Sequence, residues 1–229
     1  MTTITSRLQA VRDRIQAATA AAGRPPDAVR LIAVSKTFSA QAVREACQAG
    51  QHAFGENYLQ EASSKIEALS DLPLEWHFIG PLQSNKTRSA AGLFSWVHTV
   101  DRLKLAERLS AARPNELAPL QVCIQVNVSS EPSKSGCRPE DALALADAVA
   151  GLPRLRLRGL MTIPELTSDA VLQRNRFAAL RNLKEELVSR GIELDTLSMG
   201  MSDDLEAAIA EGATMVRVGQ AIFGPRRPR

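Results

Sequence analysis

The chain has 229 residues, 45% of them hydrophobic, and a formal net charge of +3 that the three arginines of the terminal RRPR supply by themselves. So long a chain buries a core without disulfide or metal staples, and a body with no excess charge excludes a basic nucleic-acid surface despite a pI of about 9.0. Cys47, Cys123 and Cys137 are widely spaced and form no CxxC pair, which excludes a disulfide framework or a zinc ribbon and reads as reduced thiols in a cytoplasmic protein. The N-terminus has no apolar signal core, and no stretch approaches the length of a membrane span.

Residues 5–22 come first. Leu8, Val11, Ile15, Ala18 and Ala22 step by three and four, the stripe of an amphipathic helix. The GRPP at 23–26 ends it. Short apolar strands follow at 31–36, 52–55, 76–80, 96–100, 120–127, 155–163, 196–201 and 215–219. Helical segments at 39–50, 57–70, 84–92, 102–113, 139–151, 169–190 and 203–211 separate them. Strands parted by helices pair in parallel, and eight such units close as a (β/α)8 TIM barrel, compact against the usual length of about 250 residues. A doubly wound open sheet competes, but it wants a glycine-rich first turn. The first turn here, SKTFSA, has no glycine. The expectation is one α/β barrel domain over 1–229, with an extra helix at 5–22 and a basic tail at 225–229.

A barrel of this kind carries its site at the C-terminal ends of its strands. LIAVSK ends on Lys36, an ammonium at the mouth of an apolar element. The second strand runs into Glu56, Asn57 and Tyr58, and the fifth ends on Asn127. The last two strands end in SMGMSDD and VRVG, where barrels often bind phosphate. Ser202 is placed to cap the helix that begins DDLEAAIAEG, and Gly219 permits close backbone approach. Asp203 and Asp204 suit the helix dipole but repel a phosphate unless they turn away. Arg217 shares the face of Met215 and Gly219. A charge there needs a partner: a ligand in the mouth, or an inward salt bridge to another strand. A lysine opposite a phosphate site is a Schiff-base arrangement. Desolvation would lower its pKa from about 10.4 and raise the nucleophilic fraction. Pyridoxal phosphate fits both requirements, as does the sugar-phosphate substrate of a lysine aldolase.

The stretches AVSK (33–36), FGENYLQE (54–61), WHFIGPLQSNK (76–86), SKSG (133–136), GLMTIP (159–164), LSMGMSDDLEAAI (197–209) and MVRVGQAIFG (215–224) resemble the pyridoxal phosphate homeostasis protein family, also called the YggS or proline synthase co-transcribed family. They occur in the family's order over nearly the whole chain. The resemblance implies a fold-type III barrel similar to the N-terminal domain of alanine racemase, with pyridoxal phosphate held on Lys36 as an internal aldimine. It implies phosphate contacts from Ser202, Gly219 and the following Gln220, an Arg217 facing the pyridine nitrogen, and an Asn57 near the ring. Gln220 departs from the small residue usual in the family, so a backbone contact survives there and a hydroxyl contact does not. Lys86 and Lys134 match lysines of the family pattern that could help capture the anion. His77 and His98 read as core or rim histidines, and Glu56 as a residue that orients its neighbours.

An arginine beside the pyridine nitrogen leaves it unprotonated and a weaker electron sink. Racemisation also needs a second base. In alanine racemase that is a tyrosine from a domain after the barrel, and this chain has one tyrosine, Tyr58, and ends soon after strand eight. The expectation is therefore a cytoplasmic, monomeric carrier in vitamin B6 homeostasis. It holds the reactive aldehyde without turnover and passes it to apo pyridoxal phosphate enzymes. The alternatives are a minor amino-acid racemase using Tyr58 or a water, or a cofactor-free lysine aldolase.

Overall fold

The computed structural model describes residues 3–129, 131, 135–165 and 167–225. Lys134 and the arginines of the tail lie outside the described residues.

Helix α1 (Ile4–Ala21) starts in a capping box: Thr3 Oγ1 accepts from Ser6 N–H, and Ser6 Oγ accepts from Thr3 N–H. It ends in a Schellman turn, with Gly23 at φ 64° and Arg24 N–H donating to Thr19 O. The chain then alternates strand and helix: β1 (Arg30–Val34), α2 (Ala40–Gln48), β2 (Ala53–Glu56), α3 (Leu59–Ala68), β3 (Glu75–Phe78), α4 (Thr87–Leu93), β4 (Trp96–Val100), α5 (Leu103–Ala112), β5 (Leu120–Gln125), α6 (Ala142–Ala150), β6 (Leu155–Met161), α7 (Ala170–Ser189), β7 (Thr196–Ser198), α8 (Leu205–Ala210) and β8 (Met215–Val218), with a one-turn α9 (Gln220–Phe223). Neighbouring strands pair in parallel in sequence order, and β8 returns to β1 with Arg30 opposite Met215, closing the barrel.

Side-chain alternation sorts the strands into two cores. Leu31, Ala33, Phe54, Val97, Val122, Ile124, Leu160, Val216 and Val218 face the surrounding helices. Ile32, Ala53, Trp96, Cys123, Met161 and Met215 fill the barrel interior. The N-terminal helix packs on α8 and α9; Arg7 Nε donates to Ile222 O at 2.7 Å, and Arg14 pairs with Glu206.

The expected strands are present, but several stop sooner than their apolar runs. The first ends at Val34 and the seventh at Ser198, because ladder pairing stops where the chain turns over the rim. Residues 84–92 divide into a 3-10 turn, Ser84–Lys86, and α4. The short α9 had no periodic signal, being too brief to show one.

Gly159 on β6 faces Thr196 on β7, and a Cβ added there would lie 1.8 Å from Thr196 O. Backbone cannot yield that space without separating the strands. Gly159→Ala should lower stability by about 3 kcal/mol or more, whereas Gly92→Ala, which meets nothing within 4 Å in α4, should raise it by about 0.5–1 kcal/mol. Denaturant titration of the pair checks both signs.

All three cysteines are free and buried. Burial pushes the Cys123 and Cys137 thiols up to about 12. Neither should react with an aromatic disulfide reagent at pH 8 in the native protein, since the thiolate is the nucleophile; both should react once denaturant is added.

Candidate functional site

At the end of β1 the Ser35 N–H still donates to Gly55 O at 3.0 Å. Lys36 follows, half-buried, so it sits on the rim loop rather than on the strand itself. Thr37 then adopts φ 70°, a left-handed conformation uncommon for a β-branched residue. What holds it is a buried ion cluster. Lys65, from α3, donates through Nζ to Ser35 O at 2.6 Å, Glu56 Oε1 at 2.7 Å and Glu61 Oε1 at 2.6 Å. Ser35 Oγ donates to the same Glu56 oxygen at 2.6 Å, and Thr37 N–H donates to Glu61 Oε1 at 2.5 Å. The residues on both sides of Lys36 are thus tied to one ammonium and its two carboxylates. Burial raises the pKa of Glu56, while Lys65 and Ser35 pull it back. Glu56 therefore orients its neighbours, as its position in the sequence suggested. Lys65 was not foreseen. Its pairing with Glu61 at i,i+4 was legible, but nothing in that spacing says the pair is buried.

Asn57 follows β2 and lines a pocket of 180 Å³ at the barrel mouth with Ile79, Thr99, Gln125 and Ile163. Its Oδ1 is buried and makes no hydrogen bond among the described residues, a state that costs about 1–3 kcal/mol unless a ligand donor meets it. Gly80 is what lets the next strand's loop close over this residue: a Cβ there would lie 2.4 Å from Asn57 O. Gln125, inward on β5, also lines this pocket, and nothing in the apolar run around it marked its amide.

Arg217 lies on β8 with only 3% of its surface exposed. It points into the barrel: Nη1 donates to Ser198 Oγ and Nη2 to Thr162 O, each at 2.8 Å. Desolvation lowers its pKa to about 10, with Asp204 pulling the other way. Its partners in the protein are a hydroxyl and a carbonyl rather than a direct salt bridge.

The expected cap is corrected. Helix α8 begins at Leu205 and its N-cap is Asp204, so Ser202 sits two residues earlier in the preceding turn, half-buried. Asp204 occupies the cap position without a side-chain bond to the helix; its Oδ1 accepts instead from Met201 N–H at 2.5 Å, closing the preceding turn. That bond also directs the carboxylate into its own loop. Gly219 packs tightly on the end of β1, where a Cβ would lie 3.0 Å from Val34 O; this is a contact within the protein, not the expected approach to an anion. Gly219 opens α9, whose first residue, Gln220, is exposed; the leading N–H groups of a helix have no partner within it.

Arg217 on β8, and Lys36, Asn57, Ser202, Gly219 and Gln220 just past the ends of β1, β2, β7 and β8, therefore belong to four adjacent strands at one end of the barrel. Lys86 is exposed on the rim after β3, outside this half of the barrel. His77 and His98 are fully buried core residues. Tyr58 is the N-cap of α3, has 52% of its surface exposed and does not line the mouth pocket.

Fold and site together define a class: a closed parallel barrel with a clamped lysine just past its first strand and a buried arginine on its last. The family model of the alanine racemase N-terminal domain matches residues 6–227. A pyridoxal phosphate homeostasis protein of Pseudomonas aeruginosa is 62% identical over 99% of this chain and 97% of its own. One from Escherichia coli K12 is 54% identical over 99% of this chain and 98% of its own. The solved structure of PipY from Synechococcus elongatus with PLP bound superposes with a TM-score of 0.85 at 42% identity, covering 96% of this chain and all of that one. The chain belongs to the alanine racemase N-terminal domain family and, within it, to the pyridoxal phosphate homeostasis proteins.

Proposed function

We propose that this chain binds pyridoxal phosphate at the β7–β8–β1–β2 end of the barrel, holds its aldehyde on Lys36, and serves intracellular pyridoxal phosphate homeostasis without turnover. The observation that carries the reading is the clamp around Lys36. A rim lysine with both neighbouring peptides anchored to a buried ion cluster is a lysine kept in one place.

The residues present fit the group. Asn57 offers a buried acceptor at the mouth, unmet among the described residues, Gly219 the backbone that opens α9, and Ser202 a half-buried hydroxyl in the turn after β7. Ser202, Gly219 and the backbone of Gln220 would hold the phosphate. When bound, the cofactor supplies a reactive aldehyde and an electron-withdrawing ring. Arg217 is a donor-only cation, and set against the ring nitrogen it would keep that nitrogen unprotonated, which weakens the ring as an electron sink. Tyr58, exposed on α3, is poorly placed as a racemase base. The proposal extends to one cofactor-binding barrel spanning the chain, working as a cytoplasmic monomer that supplies apo-enzymes.

The test is an absorption spectrum of the purified protein with pyridoxal phosphate, then borohydride reduction and peptide mass mapping. A stable pyridoxyl label on Lys36, with no amino-acid racemisation by the loaded protein, is the expected result. A label only on other lysines would overturn the site, and steady turnover would overturn the carrier reading.

A further inference from the structure

Barrel interiors of this fold are normally packed with branched apolar side chains. This one holds a line of polar groups running from floor to mouth. At the floor, Glu75 opens β3 with its side chain one-third exposed, paired to Arg30 Nη1 at 2.7 Å. His77 Nε2 lies 2.6 Å from Glu75 Oε1, and His77 Nδ1 lies 2.9 Å from His98 Nε2. His98 Nδ1 lies 2.8 Å from Ser198 Oγ, which accepts from Arg217 Nη1 at 2.8 Å. His77, His98 and Ser198 are wholly buried, and Trp96 stacks on His77 with ring centroids 5.4 Å apart.

The chemistry of the two ends sets the direction of the line. A guanidinium only donates, and a carboxylate only accepts. Burial would raise the pKa of Glu75, but its bonds with His77 and Arg30 outweigh that and hold the carboxyl below its usual value, so it is ionised. Both imidazoles are neutral, since burial depresses each of them. Two neutral imidazoles then fit in one arrangement: Ser198 O–H donates to His98 Nδ1, His98 Nε2–H donates to His77 Nδ1, and His77 Nε2–H donates to Glu75. An imidazolium at either histidine would turn the Ser198 hydroxyl from donor to acceptor. With its hydrogen committed to His98, the Ser198 hydroxyl turns its lone pairs to Arg217.

We infer that Glu75, His77, His98 and Ser198 form a positioning relay that sets the Arg217 guanidinium from the opposite face of the barrel. Residues that never touch the cofactor then tune its pocket. The inference deepens the proposed function, and its consequence for cofactor binding rests on that reading.

Two measurements on the full-length protein test it. Nitrogen-15 NMR of labelled histidines in the wild type should show both imidazoles as neutral Nε2–H tautomers at pH 7.5; an Nδ1–H tautomer or an imidazolium at either overturns the relay. This arm needs no cofactor, so failure of the wild type to take up pyridoxal phosphate would sink the proposed function and leave the tautomers to decide the relay. The second arm titrates pyridoxal phosphate into variants. Ser198→Ala should bind about tenfold more weakly, the loss of one bond to a charged group, with Ser198→Thr recovering most of it. Glu75→Gln, at the floor, keeps an acceptor and removes the charge; it should weaken binding about threefold and shift the absorption maximum of the bound cofactor. Wild-type affinity and spectrum in Ser198→Ala and Glu75→Gln, with only thermal stability reduced, would make the line ordinary core structure and overturn the inference.

Discussion

Lys36→Ala is expected to abolish the borohydride-stable label while the barrel stays folded. The side chain lies on a rim loop, half-buried and past the last ladder bond of β1, so truncation opens no cavity in either core and should cost under about 1 kcal/mol of stability. The anchor is what disappears. Phosphate-directed binding through Ser202, Gly219 and Gln220 should persist in weakened, fully dialysable form, and equilibrium dialysis of the variant separates the two contributions. A label of wild-type yield in Lys36→Ala would remove Lys36 from the site.

Lys65→Met should carry the larger structural penalty. Its ammonium is buried between Glu56 and Glu61, with side-chain exposures of 6%, 0% and 23%. Removing one partner of a buried pair leaves an uncompensated charge and costs about 3–5 kcal/mol. For a chain of this size that lowers the melting temperature by roughly 10 °C. The pH dependence has a definite sign. Burial holds the folded-state pKa of Glu56 above its unfolded value, and loss of Lys65 raises it further. Stability from the protonated form is complete below the unfolded value of about 4.3 and is lost as pH rises through the folded one. The gap between variant and wild type should be narrow near pH 4 and wide at pH 7. Adding Glu56→Gln should recover part of the loss, a non-additivity that a double-mutant cycle reads directly. The same variant releases Ser35 and Thr37, so its rate of labelling at Lys36 should fall even where the fold survives. Equal stability loss at pH 4 and pH 7 would contradict the buried-charge account.

Some of this site was legible before any coordinates. The strand-helix alternation placed Lys36, Asn57, Arg217 and Gly219 near one end of a barrel, because in a parallel barrel every strand's C-terminal end lies on the same side. The parity of MVRVG put Arg217 with Met215, and both face the interior. The choice of cap was not legible: Ser202, Asp203 and Asp204 are all good caps, and only the turn geometry selected Asp204. The strand ends were overextended for a related reason, since apolar character continues past the point where pairing stops.

The periodic elements, the closed parallel architecture and the position of the rim lysine could be read from the amino-acid order alone, since they follow from local spacing and from the rule that parallel strands end on one common side. The same order also carried the resemblance, through motifs spread over nearly the whole chain. Which polar groups are buried together emerged from the folded chain. Glu56 and Lys65 lie nine positions apart and meet on one helix–strand contact; His98 and Ser198 lie one hundred apart and meet across the barrel. Hydrogen bonds between distant strands depend on register and on the closure of the sheet, and no local pattern of residues records either one.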